Sequence, residues 1–176
     1  MLPIAHFHYC PRCGRPLAAD AKQTASLECG VCGFRFYFNA GSAVAAFVRR
    51  EDGRWLFIRR AKEPGRGKLA PAGGFVDIGE TAESAVRREL REEVGVTLAT
   101  VTFLCSQPNA YLYRDVTYPT LDLFFIATLA AGSEPQVLDE VTSVGWFKEN
   151  EVAADDLAFP SMQAAWWQVV AFEKTC

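Results

Sequence analysis

The sequence predicts an α+β fold with a mixed β-sheet, preceded by a small cysteine-rich module. Two observations carry this. Strand-like and helix-like segments mix without the repeating β-α-β rhythm of a doubly wound parallel sheet. Residues 1 to about 38 also differ in texture from everything after them. The length, 176 residues, fits one full-sized domain and a short appendage at roughly 100–200 residues per domain.

The N-terminal module holds two Cys-x-x-Cys-Gly units, Cys10-Pro11-Arg12-Cys13-Gly14 and Cys29-Gly30-Val31-Cys32-Gly33, separated by the 15 residues Gly14 to Glu28. A segment this short buries too little apolar surface to fold unaided. Two Cys-x-x-Cys pairs at this separation have the spacing of a zinc site. Each pair sets two thiolates on one knuckle, and two knuckles close a tetrahedral sulfur site. Cys10, Cys13, Cys29 and Cys32 are therefore the expected structural Zn²⁺ ligands, with disulfides the weaker alternative in a reducing compartment. Such a closed site leaves no position for substrate. His6 and His8 are surplus to four thiolates, Cys105 reads as a core residue and Cys176 as a free terminal thiol.

The remaining elements follow in order. Ala43 to Val48 is an apolar run ended by Asp52-Gly53, a hairpin signal, and Trp55 to Ile58 is the returning strand. Pro64 to Gly74 is rich in Gly and Pro and reads as loop. Thr81 to Val94 reads as a helix with Thr81 as N-cap, Gly95 as C′ residue, and Ala82, Val86, Leu90 and Val94 as its buried stripe. Val101–Cys105, Leu121–Leu129 and Val144–Phe147 read as strands, Glu149–Ala153 as a helical turn, and Pro160–Phe172 as a terminal helix started by its proline.

Composition narrows the function classes. Apolar residues make up 50% and charged residues 22%, as in average soluble domains, so disorder, collagen and coiled coil do not describe the whole. The 18 Lys+Arg against 21 Asp+Glu give a net charge of −3, which offers no bulk electrostatic grip on nucleic acid or anionic membrane, though a local basic patch remains open. No apolar run approaches the roughly 18 residues of a membrane-spanning helix. Met1 to His8 lacks a basic stretch followed by an apolar one, so the expected compartment is the cytoplasm.

The chemistry concentrates on the predicted central helix. Glu89, Glu92 and Glu93 are related by i, i+3 and i+4 and share one face, where like charges repel. Two readings fit these acids alone. One is a solvated helix face, with Arg88 and Glu92 as an i, i+4 pair. The other is a divalent cation site beside the Gly-rich loop, where oxygen ligands suit Mg²⁺ or Mn²⁺. The complete segment decides between them. Gly74 is followed by five residues to Glu80, then seven to Arg88-Glu89-Leu90, and Glu92, Glu93, Gly95 and Val96 complete nine defined positions over 23 residues. This resembles the box of the Nudix hydrolase family, Gly-x5-Glu-x7-Arg-Glu-U-x-Glu-Glu-x-Gly-U with U aliphatic.

The resemblance implies a Nudix domain, a mixed sheet between helices, over residues 39–176, after a zinc ribbon over residues 1–38. It implies that Glu89, Glu92 and Glu93 bind the catalytic Mg²⁺ or Mn²⁺, joined by the carbonyl of Gly74, and that Glu80 and Arg88 form a structural pair. Glu92 is the expected general base. The reaction implied is hydrolysis of a nucleoside diphosphate linked to another moiety.

An N-terminal four-cysteine ribbon is typical of the NADH pyrophosphatase group within this family. Ser106-Gln107-Pro108 matches the first three positions of that group's motif after the box, making Gln107 a candidate substrate contact. Asn109 to Tyr113 depart from the motif. Glu140, several residues before Trp146-Phe147 in the stretch opened by Asp139, resembles an additional metal ligand, with a surface carboxylate as the alternative. Tyr111 and Tyr113 either stack on a base or pack within a strand. Arg59 and Arg60 either contact a diphosphate or are solvated. Phe36 and Phe75 carry the same ambiguity, and Trp166 and Trp167 read as core or dimer-interface residues.

The expected partner is a small-molecule nucleotide, a dinucleotide such as NADH, with ADP-ribose or a nucleotide sugar as the alternative substrate. Nucleic acid enters only as a capped RNA end, membrane not at all, and a homodimer is an expectation from the resembling group. A reading of another class is a sensor that binds a nucleotide or nucleic acid without cutting. The intact Glu89/Glu92/Glu93 set weighs against it.

Overall fold

The computed structural model describes residues 1–18, 25–138 and 140–173, with side chains as far as residue 171. Asp139 and Cys176 lie outside the described residues. The chain falls into two units, Met1–Gly41 with Ala110–Pro119, and Ser42–Asn109 with Thr120–Cys176.

In the first unit the sequence between the cysteine pairs and just beyond them forms a small antiparallel hairpin, β1 (Ser26–Glu28) with β2 (Arg35–Tyr37). Leu27 is its buried residue, and Glu28 and Arg35, directly opposite in register, form an ion pair. Phe7, Phe36 and Phe38 gather with ring centroids 5.0–6.4 Å apart. The ammonium of Met1 donates to the carbonyl of Asp115 at 3.1 Å, and the amide of Thr117 donates to the carbonyl of Met1 at 2.8 Å. These bonds tie residues 110–119 to the N-terminal segment.

The second unit is built on a six-stranded mixed sheet comprising β3 (Gly41–Arg49), β4 (Trp55–Arg60), β5 (Leu69–Ala70), β6 (Leu98–Tyr113), β7 (Val116–Leu129) and β8 (Val141–Phe147), in the order β5-β4-β3-β7-β6 with β8 on β4. Strand β4 is the hub. Its start pairs with β3 (Leu56 opposite Val48) and its end with β5 (Ile58 opposite Ala70), while β8 runs antiparallel along its other edge from Trp55 to Arg60. Helix α1 (Ala82–Val94) is capped as its sequence dictates. The Thr81 hydroxyl accepts from the Ser84 amide at 3.2 Å, and Gly95, at φ 71°, returns its amide to Arg91. Its buried side chains are Ala85, Val86, Leu90 and Val94. Ala85 thus takes the place that i, i+4 spacing assigns to Ala82, which sits half-buried at the helix's first position. The second helix, α2 (Pro160–Glu173), places Trp166 in the core, with its ring 5.2–5.7 Å from those of Phe47, Trp55 and Phe57. Trp166 is core, whereas Trp167 is 62% exposed.

Strands β5 and β6 depart most in kind from the sequence-based expectation, and β7 and β8 start earlier than expected, at Val116 and Val141. Strand β6 continues eight residues past Cys105, through Pro108 and Asn109. The missing N–H of a proline is tolerated there because β6 is the last strand in the sheet order. Strand β5 lies inside the Gly/Pro-rich stretch expected to be loop. The turn between β6 and β7 is made by Arg114 and Asp115, both with positive φ (45° and 66°), the backbone of a two-residue hairpin loop. A buried carboxylate, Asp122, accepts from Asn109 Nδ2 (2.9 Å), Thr120 Oγ1 (2.8 Å) and Ser161 Oγ (2.6 Å). These bonds link β6, β7 and the first turn of α2, and satisfy a group that would otherwise be costly to bury. Among the described residues no helix is long and apolar enough to cross a membrane.

Candidate functional site

The helix carries the acids, and two glycines bring a loop onto them. Gly73 and Gly74 lie just after β5, against β3, where the Val44 amide donates to the Gly74 carbonyl at 2.8 Å and Val76 N–H to Ser42 at 3.0 Å. The approach is too close for any side chain. A Cβ on Gly73 would meet the Val44 carbonyl oxygen at 2.1 Å, and one on Gly74 would lie 2.6 Å from the Glu89 carboxylate. The Gly73 amide donates to Glu93 Oε2 at 2.9 Å. Gly73 is a residue the sequence reading passed over, although its pairing with Gly74, the opening glycine of the box, was the available signal.

Arg88 organises the rest. It binds Glu80 through Nε (3.1 Å) and Nη2 (2.9 Å), donates to the Phe75 carbonyl (3.0 Å), and reaches Glu89 (2.8 Å) and Glu92 (3.1 Å) through Nη1. This fork pins the loop to the helix and supplies the positive charge between two acids that would otherwise repel. Arg88's hydrogen bonds hold the Glu80 carboxyl below its usual range. Burial pushes Glu89 up, against the lowering effect of Arg88. Glu93 is pushed up to about 7, first by burial, then lowered in part by the Gly73 amide and the nearby Arg60, and raised by the charges of Glu89 and Glu140. A largely buried carboxyl with two other acids acting on it resists ionisation, even with Arg60 nearby. The same environment identifies where positive charge is wanted.

The structure therefore brings Gly74, Glu80, Arg88, Glu89, Glu92 and Glu93 together, with Arg60 and Glu140 near enough for their charges to act on Glu93. Glu140 has φ 68° and holds Lys62 Nζ at 2.6 Å. Arg60 donates to the Pro64 carbonyl at 2.8 Å and lies over the Phe159 ring at 5.1 Å. Gln107 is turned to the Cys105 thiol, one position along the same face of β6; burial raises that thiol's pKa. Tyr111 and Tyr113 belong to the first unit, where Tyr113 is exposed beneath the Arg114 guanidinium at 5.3 Å.

The all-oxygen donor set of Glu89, Glu92, Glu93 and the second lone pair of the Gly74 carbonyl suits a hard divalent cation. Among the described residues, however, the three glutamates are not drawn into a tight ligand cluster. Glu89 and Glu92 turn to Arg88, and Glu93 turns to Gly73. The ligand atoms that do lie within 4.8 Å of one another are the four thiols of Cys10, Cys13, Cys29 and Cys32. The two knuckles repeat each other closely. Cys10 and Cys29 each accept from the glycine four residues on (Gly14 and Gly33, both 2.9 Å), and both glycines have positive φ, 69° and 67°. Sγ separations of 3.7 Å (Cys10–Cys32) and 3.8 Å (Cys13–Cys29) match the edge of about 3.8 Å that a tetrahedron with metal–sulfur bonds of about 2.3 Å requires. Backbone amides of Cys32 and Val31 pull the Cys29 thiol down to about 6, while Cys32, lowered by the Phe34 amide but raised more by burial and by hydrogen bonds to the other three thiols, goes up to about 11.

The NUDIX domain family model matches residues 40–166. The chain belongs to the Nudix family. The chain is similar to curated NAD-capped RNA hydrolases of the NudC type: it is 34% identical to the one from Chromobacterium violaceum over 81% of this chain and 51% of the relative. It is 28% identical to that of Stutzerimonas stutzeri over 86% of this chain and 51% of the relative. The chain thus spans about half the length of these relatives. Among solved structures, a MutT NUDIX hydrolase from Burkholderia pseudomallei superposes with TM-score 0.64 at 28% identity, covering 74% of this chain and 98% of that one. A NUDIX hydrolase from Nitrosomonas europaea shares the fold with TM-score 0.67 at 23% identity, over 89% of this chain and 86% of that one.

Proposed function

We propose that this chain is a Mg²⁺- or Mn²⁺-dependent pyrophosphohydrolase that cleaves the diphosphate of a dinucleotide such as NADH, or of an NAD-type cap on RNA, and that its cysteine module holds structural Zn²⁺. The observation that carries this reading is the closure of the Gly73–Gly74 loop onto Glu89 and Glu93 within the box helix. The NudC-type relatives support a dinucleotide diphosphate as the substrate class.

Glu89, Glu92, Glu93, the Gly74 carbonyl and Glu140 are the residues that would hold the catalytic cation. A divalent ion there supplies positive charge to the diphosphate oxygens and acidifies water. The chain's own groups do the positioning. Gly73 fixes the Glu93 carboxylate, and Arg88 fixes Glu89 against the loop. Glu92 is 59% exposed at its side chain, against 15% for Glu89, so it is the acid of the pair open to arriving water and the one assigned to take its proton. Glu80 holds Arg88 and does not touch substrate. Arg60, near Glu93, is assigned to the diphosphate, and Gln107 is the remaining candidate contact within the same unit.

The test is a panel of NADH, NAD⁺, ADP-ribose, FAD, nucleotide sugars and an NAD-capped oligoribonucleotide with each cation, products being resolved by chromatography. AMP with reduced nicotinamide mononucleotide is the expected outcome. Removing a catalytic base costs roughly 10²–10⁴-fold, so Glu92→Gln should lower kcat by at least about 10²-fold with a native fluorescence spectrum. Unchanged turnover in Glu92→Gln would remove Glu92 from the role of base. No hydrolysis of any panel member by the native chain would refute the enzyme reading.

A further inference from the structure

Arg60, the last residue of β4, is held from more sides than an arginine at a strand end needs. Its backbone N–H donates to the Lys68 carbonyl (3.1 Å), and its carbonyl accepts from Gly67 N–H (2.8 Å). Its side chain is fixed twice more. Nε donates to the Pro64 carbonyl (2.8 Å), and the guanidinium lies over the Phe159 ring, 5.1 Å from the centroid. Gly65 closes in from the loop: a Cβ there would meet Ala158 Cβ at 3.0 Å and lie 3.6 Å from Arg60 Cδ. The ring that carries the guanidinium is itself anchored. Phe159 is buried. Before it, Ala158 N–H donates to the Leu69 carbonyl of β5 (2.9 Å), and after it, Ser161 Oγ donates to the buried Asp122 carboxylate (2.6 Å).

These contacts use Nε and one face of the guanidinium. Among the described residues, Nη1 and Nη2 of Arg60 have no hydrogen-bond or ion-pair partner. The charge of Arg60 acts on Glu93 without an ion pair between them. The end of the guanidinium that stays open is a planar fork of N–H donors, whose geometry matches a phosphate bidentately. A fork already held in place avoids much of the ordering cost that a free arginine side chain meets on binding. We propose that Phe159, acting with the Pro64 carbonyl, is a positioning residue that holds Arg60 as a preformed two-pronged receptor for one phosphoryl group of the diphosphate. This rests on the hydrolase reading above, in which Arg60 meets that diphosphate.

The probe is ADP with Mg²⁺, its binding followed by calorimetry, with NADH turnover measured alongside. Phe159→Leu keeps an apolar side chain and removes the ring. It should weaken ADP binding about fivefold, the scale of ordering one long side chain, and its effect on NADH should fall on KM rather than kcat. Phe159→Tyr keeps the ring and should hold ADP affinity within about twofold of native. In an Arg60→Met background, Phe159→Leu should have no further effect on ADP binding, since no guanidinium remains to be held. The native chain supplies a spectroscopic check. The Arg60 Nε–H signal in a proton–nitrogen NMR spectrum, identified by its loss in Arg60→Met, should be displaced by the Phe159 ring current even without ADP. If Phe159→Leu fails to fold, that signal and Phe159→Met take its place.

An Arg60 signal at the position of a free arginine overturns the proposal. So does an equal loss from Phe159→Leu with and without Arg60, which marks a purely structural ring, and so does a native chain that does not bind ADP. NADH hydrolysis and ADP binding that both ignore Phe159→Leu remove this inference and leave the enzyme reading standing. ADP binding that couples Phe159 to Arg60, with no hydrolysis of any panel substrate, removes the enzyme reading and leaves the receptor.

Discussion

The cysteine module and the Nudix unit are held together by different forces. Among its described residues the first buries little beyond Cys10, Leu27 and Cys29, and its aromatic rings stay partly open, Phe36 being 43% exposed. The second packs Phe47, Trp55, Phe57, Phe124 and Trp166 into one aromatic core. A short chain compensates for a missing core with metal–thiolate bonds, and a long one does not need them.

The strongest way to break this comparison is to strip the proposed zinc from the four thiols. Structural zinc in small peptides is worth about 10–16 kcal/mol, so Cys13→Ser, or chelation, should abolish the β1–β2 hairpin. All four tryptophans, Trp55, Trp146, Trp166 and Trp167, lie in the second unit. Their emission should therefore stay native while zinc is released to a colorimetric chelator. Emission that shifts in step with zinc release would show that the two units do not stand on separate supports.

A smaller effect sharpens the other side. Trp166→Ala empties the meeting point of three core rings, and large aromatic truncations cost about 3–5 kcal/mol. The denaturant midpoint should drop accordingly while the zinc content stays at one per chain. A loss below about 1 kcal/mol would mean that Trp166 is not central to the core.

The smallest effect concerns the site itself. With its pKa near 7 in the folded state against an ordinary 4.5, Glu93 makes the folded protein bind more protons than the unfolded chain between those values. Stability in buffer free of Mg²⁺ and Mn²⁺ should therefore be greatest below about pH 4.5 as far as this group is concerned, and fall as pH rises toward 7. The loss is on the order of 2–3 kcal/mol, at about 1.4 kcal/mol per pKa unit. Urea midpoints across this range should show the slope, and Glu93→Gln should flatten it. A midpoint that climbs with pH in the native chain and is unchanged in the variant would contradict the burial of this carboxyl.

Much of this arrangement was legible in residue spacing. Caps and period located α1 to the residue, because Thr81 and Gly95 act locally. The cysteine pairs announced their knuckles for the same reason. What escaped depends on partners distant in sequence. Nothing around Asp122 signals that Asn109 and Ser161 will converge on it. The extension of β6 through Pro108 is permitted only by the strand's place at the end of the sheet. At the site, spacing placed the acids on one face but not their rotamers, since the turn of Glu89 and Glu92 toward Arg88 is set by a guanidinium that Glu80 and the Phe75 carbonyl hold from the other side.

The bare peptide at Gly73–Gly74 has a mechanical consequence. It fills the gap between β3 and α1 with a single thickness of backbone, touching the strand on one side and the carboxylates on the other. The loop thus acts as a spacer of fixed gauge. The separation between acids and sheet is inherited from the stiffness of the packed interior: one added methyl group at Gly73 would drive into the backbone of β3, and one at Gly74 would push the Glu89 carboxylate out of its place.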